Sequence, residues 1–374
     1  MRRCVELLCL LVGICASARA ADARWPAWES YKKLYLSEDG RVVDASVPQH
    51  ITTSEGQSYA LFFALVANDR EAFDRVLQWT QNNLADGSLA RKLPAWQWGR
   101  ADDGTWRVLD ANSASDSDLW IAYTLTEAGR LWCEAGHTSL GRSLAARILR
   151  EEVTFVPGLG PTLLPGPKGF VDRQTWRLNA SYSPIQILRS IARHSRDRLW
   201  NDVVKSSERV ILGSAPRGFA ADWIRYEPQS GFAVDKDSRG VGSYNAIRVY
   251  LWAGMLAPSD PLHNKLGRTL APMMLNATQH SAPVESVDTT TLAMQGEGSP
   301  GFSASLLPML SNAKQTAALA KHRARVEREA LQQPNAYYSD SLSLFGLGWL
   351  EDRYRFDGGG ALDVRWKAAC RGVR

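Results

Sequence analysis

The sequence predicts an all-α fold, a closed toroid of six helical hairpins whose long loops crowd one end. Two observations lead there. Apolar residues recur at three- and four-residue spacing in about twelve separate segments. Short helix-to-helix links alternate with long connections rich in glycine and proline, such as LPAWQWGRADDGTWRVLDANSAS and VPGLGPTLLPGPKGFVDRQTWRLNAS. Strand-like alternation is confined to those long connections.

The chain opens with MRRCVELLCLLVGICASARA: two arginines, an apolar run from Val5 to Ala16 broken only by Glu6, then Ala18 and Ala20 around an arginine. This reads as a secretory leader with an Ala-x-Ala exit after Ala20, and its apolar run is far shorter than the roughly 20 residues that a membrane span needs. Ile14 stands before Cys15 where a lipoprotein leader needs a small residue. The expected organisation is a signal peptide over 1–20 and a single domain over 21–374, periplasmic or secreted, with no stable membrane span after cleavage. Length alone makes two domains the prior, but no Pro/Ser linker or low-complexity joint interrupts the hairpin theme.

The leader holds three of the five cysteines, which leaves Cys133 and Cys370; an oxidising compartment lets them pair, the sequence leaves the pairing open, and two thiols make no zinc site. The leader also carries three arginines and one glutamate, so the formal net charge of +5 falls to +3 on its removal. That charge is too small and too evenly spread for a nucleic-acid partner.

In chain order, the helical segments are 26–36, 54–67, 70–84, 115–133, 138–152, 183–195, 199–213, 244–256, 260–275, 302–311, 313–332 and 337–351. Of 14 tryptophans, Trp25, Trp28, Trp96, Trp98, Trp106, Trp120, Trp132 and Trp176 fall in or beside the long connections. Indole is bulky core as often as it is a binding surface, but an indole face also stacks on the apolar face of a sugar ring. Among polar loop residues, Trp96, Trp98 and Trp176 favour the sugar-binding reading.

Two helix starts carry carboxylates. In ITTSEGQSYALFFAL, Thr53 or Ser54 caps a helix and Glu55 falls in its first turn, where an acidic residue ordinarily does no more than complement the helix dipole. In DANSASDSDLWIAYTLTEAGRLW, Ser115 or Asp116 suits a cap, yet Asp110, Asp116 and Asp118 together with Asn112 exceed what a cap requires. If the toroid closes, both starts face the loop-rich end, and Glu55 and Asp116 share a pocket and one proton.

The stretch ASDSDLWIAYTLTEAGRLW resembles the signature of glycoside hydrolase family 8, with Ser117 and Thr124 as mild departures. ITTSEGQSY, LPAWQWG, GSYNAIRVYLW and YYSDSLSLFGLGW extend the resemblance over nearly all of the chain after the leader, toward the branch that accompanies bacterial cellulose synthase in the periplasm. The resemblance implies an (α/α)6 barrel, one glycoside hydrolase catalytic domain, and inverting, endo-acting hydrolysis of a β-1,4-glucan chain. It implies no metal or organic cofactor and, as a partner, the cellulose synthase complex. It places Glu55 as proton donor to the leaving oxygen and Asp116 as the aspartate that holds and distorts the sugar. Trp98, Tyr182, Tyr244 and Arg248 match subsite positions around the cut.

One position departs from the pattern. Where the family's Tyr-Asp-Ala-x-Arg places the aspartate that takes the proton of the attacking water, this chain has Asn245. Inverting hydrolysis needs two carboxyl groups roughly 6.5–9.5 Å apart, and an amide does not readily accept that proton. Three readings follow: a base from the upstream loop WIRYEPQSGFAVDKDSRGVG, with Glu227, Asp235 and Asp237 as candidates; Asp116 activating the water while Asn245 positions it; or a weakly active or inactive glucan-binding relative. A uronate lyase is the rival among helical toroids, but His50, His137, His194, His263, His280 and His322 are scattered outside the acidic motifs.

Overall fold

Residues 54–66 and 115–132 carry continuous apolar or aromatic runs, 59–66 and 119–123, that are too long for one face of a helix and suit a helix packed on all sides. In the computed structural model, which describes residues 24–332 and 336–369, these become two of six inner helices. The leader and Cys370 lie outside the described residues; Cys133, the other cysteine expected in the mature chain, is disulfide-bonded.

The helices are α1 (Pro26–Tyr35), α2 (Ser54–Val66), α3 (Arg70–Leu84), α4 (Ser115–Trp132), α5 (Ala135–Glu151), α6 (Ile185–His194), α7 (Leu199–Ser214), α8 (Ile247–Gly254), α9 (His263–Thr269), α10 (Ala271–Gln279), α11 (Pro300–Asn312), α12 (Thr316–Glu329) and α13 (Tyr337–Leu350). Inner helices α2, α4, α6, α8, α11 and α13 follow one another around a ring, and α13 returns to α2. Each packs an outer mate behind it; for α13 the mate is α1, from the opposite end of the chain. The arrangement is an (α/α)6 barrel.

Aromatic residues fill the barrel axis. Phe345 of α13 is met by Phe63, Tyr59, Trp252, Trp120 and Phe62 from three other inner helices, with ring centroids 4.7–5.5 Å away. Such pairs contribute about 0.5–1.5 kcal/mol each beyond the area they bury. Polar bonds fasten α1 to α13 as well: the Tyr35 hydroxyl donates to Asp340 at 2.6 Å, and the Tyr31 and Ser341 hydroxyls are 3.1 Å apart.

Local chemistry moved three helix boundaries. The expected segment 260–275 is two helices, because Pro272 at the start of α10 has no N–H to continue the ladder. Cys133 takes a left-handed conformation (φ 65°) that ends α4, and α5 starts at Ala135. Residues 243–246 form a turn, with α8 beginning only at Ile247, so Asn245 lies just outside the helix that was expected to contain it.

Among the described residues the strands lie in the long connections and in the segment after α13. One sheet positions the site: β1 (Thr52–Thr53), β2 (Gln97–Arg100) and β3 (Trp106–Asp110) are antiparallel in that order, with Thr52 opposite Trp98. Among the described residues, no helix is long and apolar enough to cross a membrane.

Candidate active site

The first turns of α2, α4 and α8 meet at the loop-rich end around a cavity of about 330 Å³, lined by Glu55, Trp96, Asp116, Tyr182, Tyr244, Asn245, Arg248 and Tyr338 among others. Each side chain is set by its helix start. The Thr53 hydroxyl accepts the Gly56 N–H at 3.1 Å and so caps α2, which places Glu55 in the first turn facing the cavity. Neither Ser115 nor Asp116 caps α4, whose cap position is Ala114 without a side-chain bond. Asp116 is thereby left for other work. The Trp96 backbone ties the two starts together, its carbonyl accepting from Ser54 N–H and its N–H donating to Asn112 O, while the Ser54 and Ser117 hydroxyls are 2.8 Å apart.

Arg248 is the centre of the site. Its guanidinium, 3 % exposed, donates through Nη1 to Glu55 Oε2, to Asp116 Oδ2 at 2.8 Å and to the Tyr59 hydroxyl at 3.1 Å, and through Nη2 to Asn245 Oδ1 at 3.0 Å. That answers why an arginine stands in an apolar helix: its charge is cancelled by Asp116 and its two Nη groups donate within the site, while Nε is buried without a hydrogen-bond partner among the described residues. Glu55 is different. Burial pushes its carboxyl up from the usual 4.5 to about 7, Asp116 adds to the rise, and Arg248 opposes it. A carboxyl held in this way still carries its proton near neutrality, as a general acid must.

Because Glu55 Oε2 and Asp116 Oδ2 share one nitrogen, the two oxygens lie within about 6 Å of each other, the reach of two hydrogen bonds. An acid and a base with room for water between them need roughly 6.5–9.5 Å. The geometry therefore makes Asp116 a poor water-activating partner for Glu55, and suits it to holding a sugar hydroxyl.

Asn245 is firmly oriented. Asn179 Oδ1 accepts the Ser181 N–H and hydroxyl, which turns its Nδ2 toward Asn245 Oδ1 at 3.0 Å, and Arg248 donates to the same oxygen. With Oδ1 accepting twice, only Asn245 Nδ2 is left to face the cavity. The loop candidates stand elsewhere. Burial works against ionisation of Asp235, yet the Ser238 N–H, Arg177 and Arg225 hold its carboxyl below the ordinary range. Glu227 accepts from Ser230 and Thr175, and Asp237 pairs with Arg225. None of the three lines the cavity.

Aromatic surfaces flank the acids. Trp98 and Trp106 stack at 5.2 Å and 20°, with the Arg41 guanidinium over both rings at 4.6 and 4.8 Å. Beyond Tyr182, over which Arg248 lies at 5.5 Å, Trp223 stacks on Phe170 at 5.9 Å and 9°. Tyr244 is 48 % exposed at the rim, its carbonyl accepting from the Tyr338 hydroxyl.

Of the sequence-derived site residues, Glu55, Asp116, Asn245, Arg248, Tyr244 and Tyr182 meet in the cavity, and Trp98 stands on the adjoining sheet. Asn112 does not join them: its Nδ2 donates to Lys168 O at 3.0 Å and braces a loop. Trp25, Trp28, Trp120, Trp132 and Trp176 are core, so the sugar-binding reading of Trp176 gives way to its burial. Tyr338 and Trp223 were missed; the doubled Tyr337-Tyr338 opening an apolar helix was the available signal for the first.

Fold and site together fit a hydrolase that works through carboxyl groups. The sequence model of Glycosyl hydrolases family 8 matches residues 1–352. The chain is 47 % identical over 350 residues to the endoglucanase of Escherichia coli (strain K12), covering 94 % of each, and 48 % identical over 364 residues to that of Xanthomonas axonopodis pv. citri, covering 95 % of this chain and 94 % of the relative. The structure of endo-1,4-D-glucanase from Vibrio fischeri ES114 superposes with a TM-score of 0.87 at 44 % identity, covering 92 % of this chain and 99 % of that one. The chain belongs to glycoside hydrolase family 8.

Proposed function

We propose that this glycoside hydrolase is an endo-acting, inverting endoglucanase that cuts β-1,4-glucan in the periplasm, or outside the cell, alongside bacterial cellulose synthesis and its synthase complex. The observation that carries the reading is Glu55, a carboxyl still protonated near neutrality, set between two aromatic surfaces. Sugars held on both sides of the acid put an internal bond at the point of cleavage.

In this reading Glu55 gives its proton to the leaving glycosidic oxygen. Asp116, with one oxygen on Arg248 and the other accepting the Ser117 N–H, holds the sugar at the cut and steadies the positive charge that grows on its ring. Tyr182 and Tyr244 wall that subsite. Similarity to endoglucanases from several bacteria supports the substrate class, and the leader supports export.

One observation removes Asn245 as the base, and a chain with no other base would be slow. Asn245 Oδ1 already accepts two hydrogen bonds, so it has little capacity to take a proton from water. Loss of a general base costs about 10²–10⁴-fold, which leaves a measurable rate. Reducing-end release from a soluble β-1,4-glucan, wild type beside Glu55→Gln, tests the proposal. A loss of at least ~10²-fold is expected. Equal rates, with glucan still bound, make the chain a glucan-binding relative instead. A mature mass beginning at Ala21 checks the export step, and the yield of cellulose from cells lacking the protein checks the link to synthesis.

A further inference from the structure

If glucan is cleaved, some carboxylate other than Glu55 and Asp116 accepts the proton of the attacking water. Asp222, which the sequence did not single out, is bound to Asn245 itself. Its Oδ1 accepts three backbone N–H groups, from Ser243 at 2.9 Å, Asn245 at 3.0 Å and Ala246 at 2.7 Å, so the carboxylate is pinned behind the turn that carries Asn245. Its Oδ2 has no partner among the described residues, and it is not among the polar atoms sealed from solvent. The same holds for Asn245 Nδ2, on the cavity side of that turn.

Competing carboxylates are accounted for. Glu285 is within 3.4 Å of the Tyr244 hydroxyl, which points it toward the rim; Asp222, like Glu227, Asp235 and Asp237, is not part of the cavity lining, but of these four it is the one bonded to the turn that carries Asn245. Burial raises the Asp222 carboxyl above the usual aspartate range, against the pull of its three N–H bonds and of Arg248, so it is a stronger base than an exposed aspartate.

Resting on the glucan-hydrolase reading, we infer that Asp222 is the general base, receiving the proton through one relay water that Asn245 Nδ2 holds in place. The attacking water's oxygen bonds to the anomeric carbon while the glycosidic C–O bond breaks, its electron pair leaving with the oxygen that takes the Glu55 proton. The attacking water's surplus proton passes to the relay water, which passes one of its own to Asp222 Oδ2. Glu55 ends ionised and Asp222 protonated, and proton exchange with solvent resets both. An amide at 245 suits this arrangement, because an aspartate there would put two carboxylates side by side and force them to share a proton.

Asp222→Asn keeps an oxygen for the three N–H groups and removes the basic atom; combining it with Asn245→Asp separates base from brace. On a neutral β-1,4-linked glucose hexamer, Asp222→Asn loses ~10²-fold or more in kcat with hexamer affinity and Tm retained. Azide, an anion that needs no base, restores cleavage and gives an α-glycosyl azide. In the Asn245→Asp background, where a carboxylate again faces the water, the cost of Asp222→Asn shrinks to about threefold or less. An equal cost in both backgrounds makes Asp222 only a brace for the turn and overturns the inference, as does an Asp222→Asn rate within about threefold of wild type. Wild type indistinguishable from Glu55→Gln overturns the hydrolase reading and this inference with it.

Discussion

As the proposed acid, the Glu55 carboxyl should set the alkaline edge of activity. A general acid works only in its protonated form. With a pKa of about 7, Glu55 is ~90 % protonated at pH 6 and ~10 % at pH 8. An unperturbed glutamic acid at 4.5 is already less than ~5 % protonated at pH 6. The rise comes from burial, with Asp116 adding to it and Arg248 offsetting part of it. Initial rates on the neutral glucose hexamer across pH 5–9 therefore give kcat/KM that is nearly level to about pH 6.5 and then falls tenfold per unit above ~7. Glu55→Gln shows no step near 7. A profile that stays flat to pH 9, or one whose alkaline fall is complete by pH 6, refutes the assignment of Glu55 as the acid.

Three other outcomes follow from the same geometry. Arg248→Met leaves Asp116 without its buried counter-charge and is expected to cost about 3–5 kcal/mol in urea unfolding; a change below ~1 kcal/mol contradicts the central role of this guanidinium. Trp98→Ala removes one face of the Trp98–Trp106 stack, and calorimetry with the hexamer is expected to show affinity weakened roughly 2–10-fold, whereas unchanged affinity removes that surface from the glucan path. Behind Asp116, burial raises the Glu152 carboxyl to about 8 against its bond from Ser113, so the native state binds the extra proton between about 4.5 and 8, and stability falls as pH rises through that window. Melting temperatures at pH 5 and pH 9 should diverge less in Glu152→Gln than in wild type; identical divergence shows that Glu152 is not what titrates.

Much of this was legible because helices announce themselves by period. Residues 54–66 and 115–132 repeat apolar residues at helical spacing, and of the two caps open to the first of them, Thr53 or Ser54, the structure uses Thr53. That Glu55 and Asp116 meet also followed, once every inner helix was taken to start at one end. Tryptophan was harder, because proximity to a polar loop in sequence does not say which way an indole turns. Trp176 sits on a short strand whose alternate residues are buried, so it faces inward, while Trp98 and Trp106, diagonal neighbours in the register of β2 and β3, stack on the more exposed face. Asp222 had no sequence signal at all. It lies 23 positions before Asn245 on a different segment, and only the folding of residues 222–246 brings its oxygen to the Asn245 N–H.

The outer mate of α13 is α1, so the two extremities of the polypeptide complete one hairpin between them. Until the final helix arrives, α2 has no neighbour on one side and its greasy surface stands open, with the acid-bearing turn unsupported. The contacts that close the circle, those of α13 with α1 and α2, join residues hundreds of positions apart, and pairings of that kind form slowly. Cutting the chain before Tyr337 would therefore not shorten the enzyme by a helix but leave a gap in the wall beside Glu55.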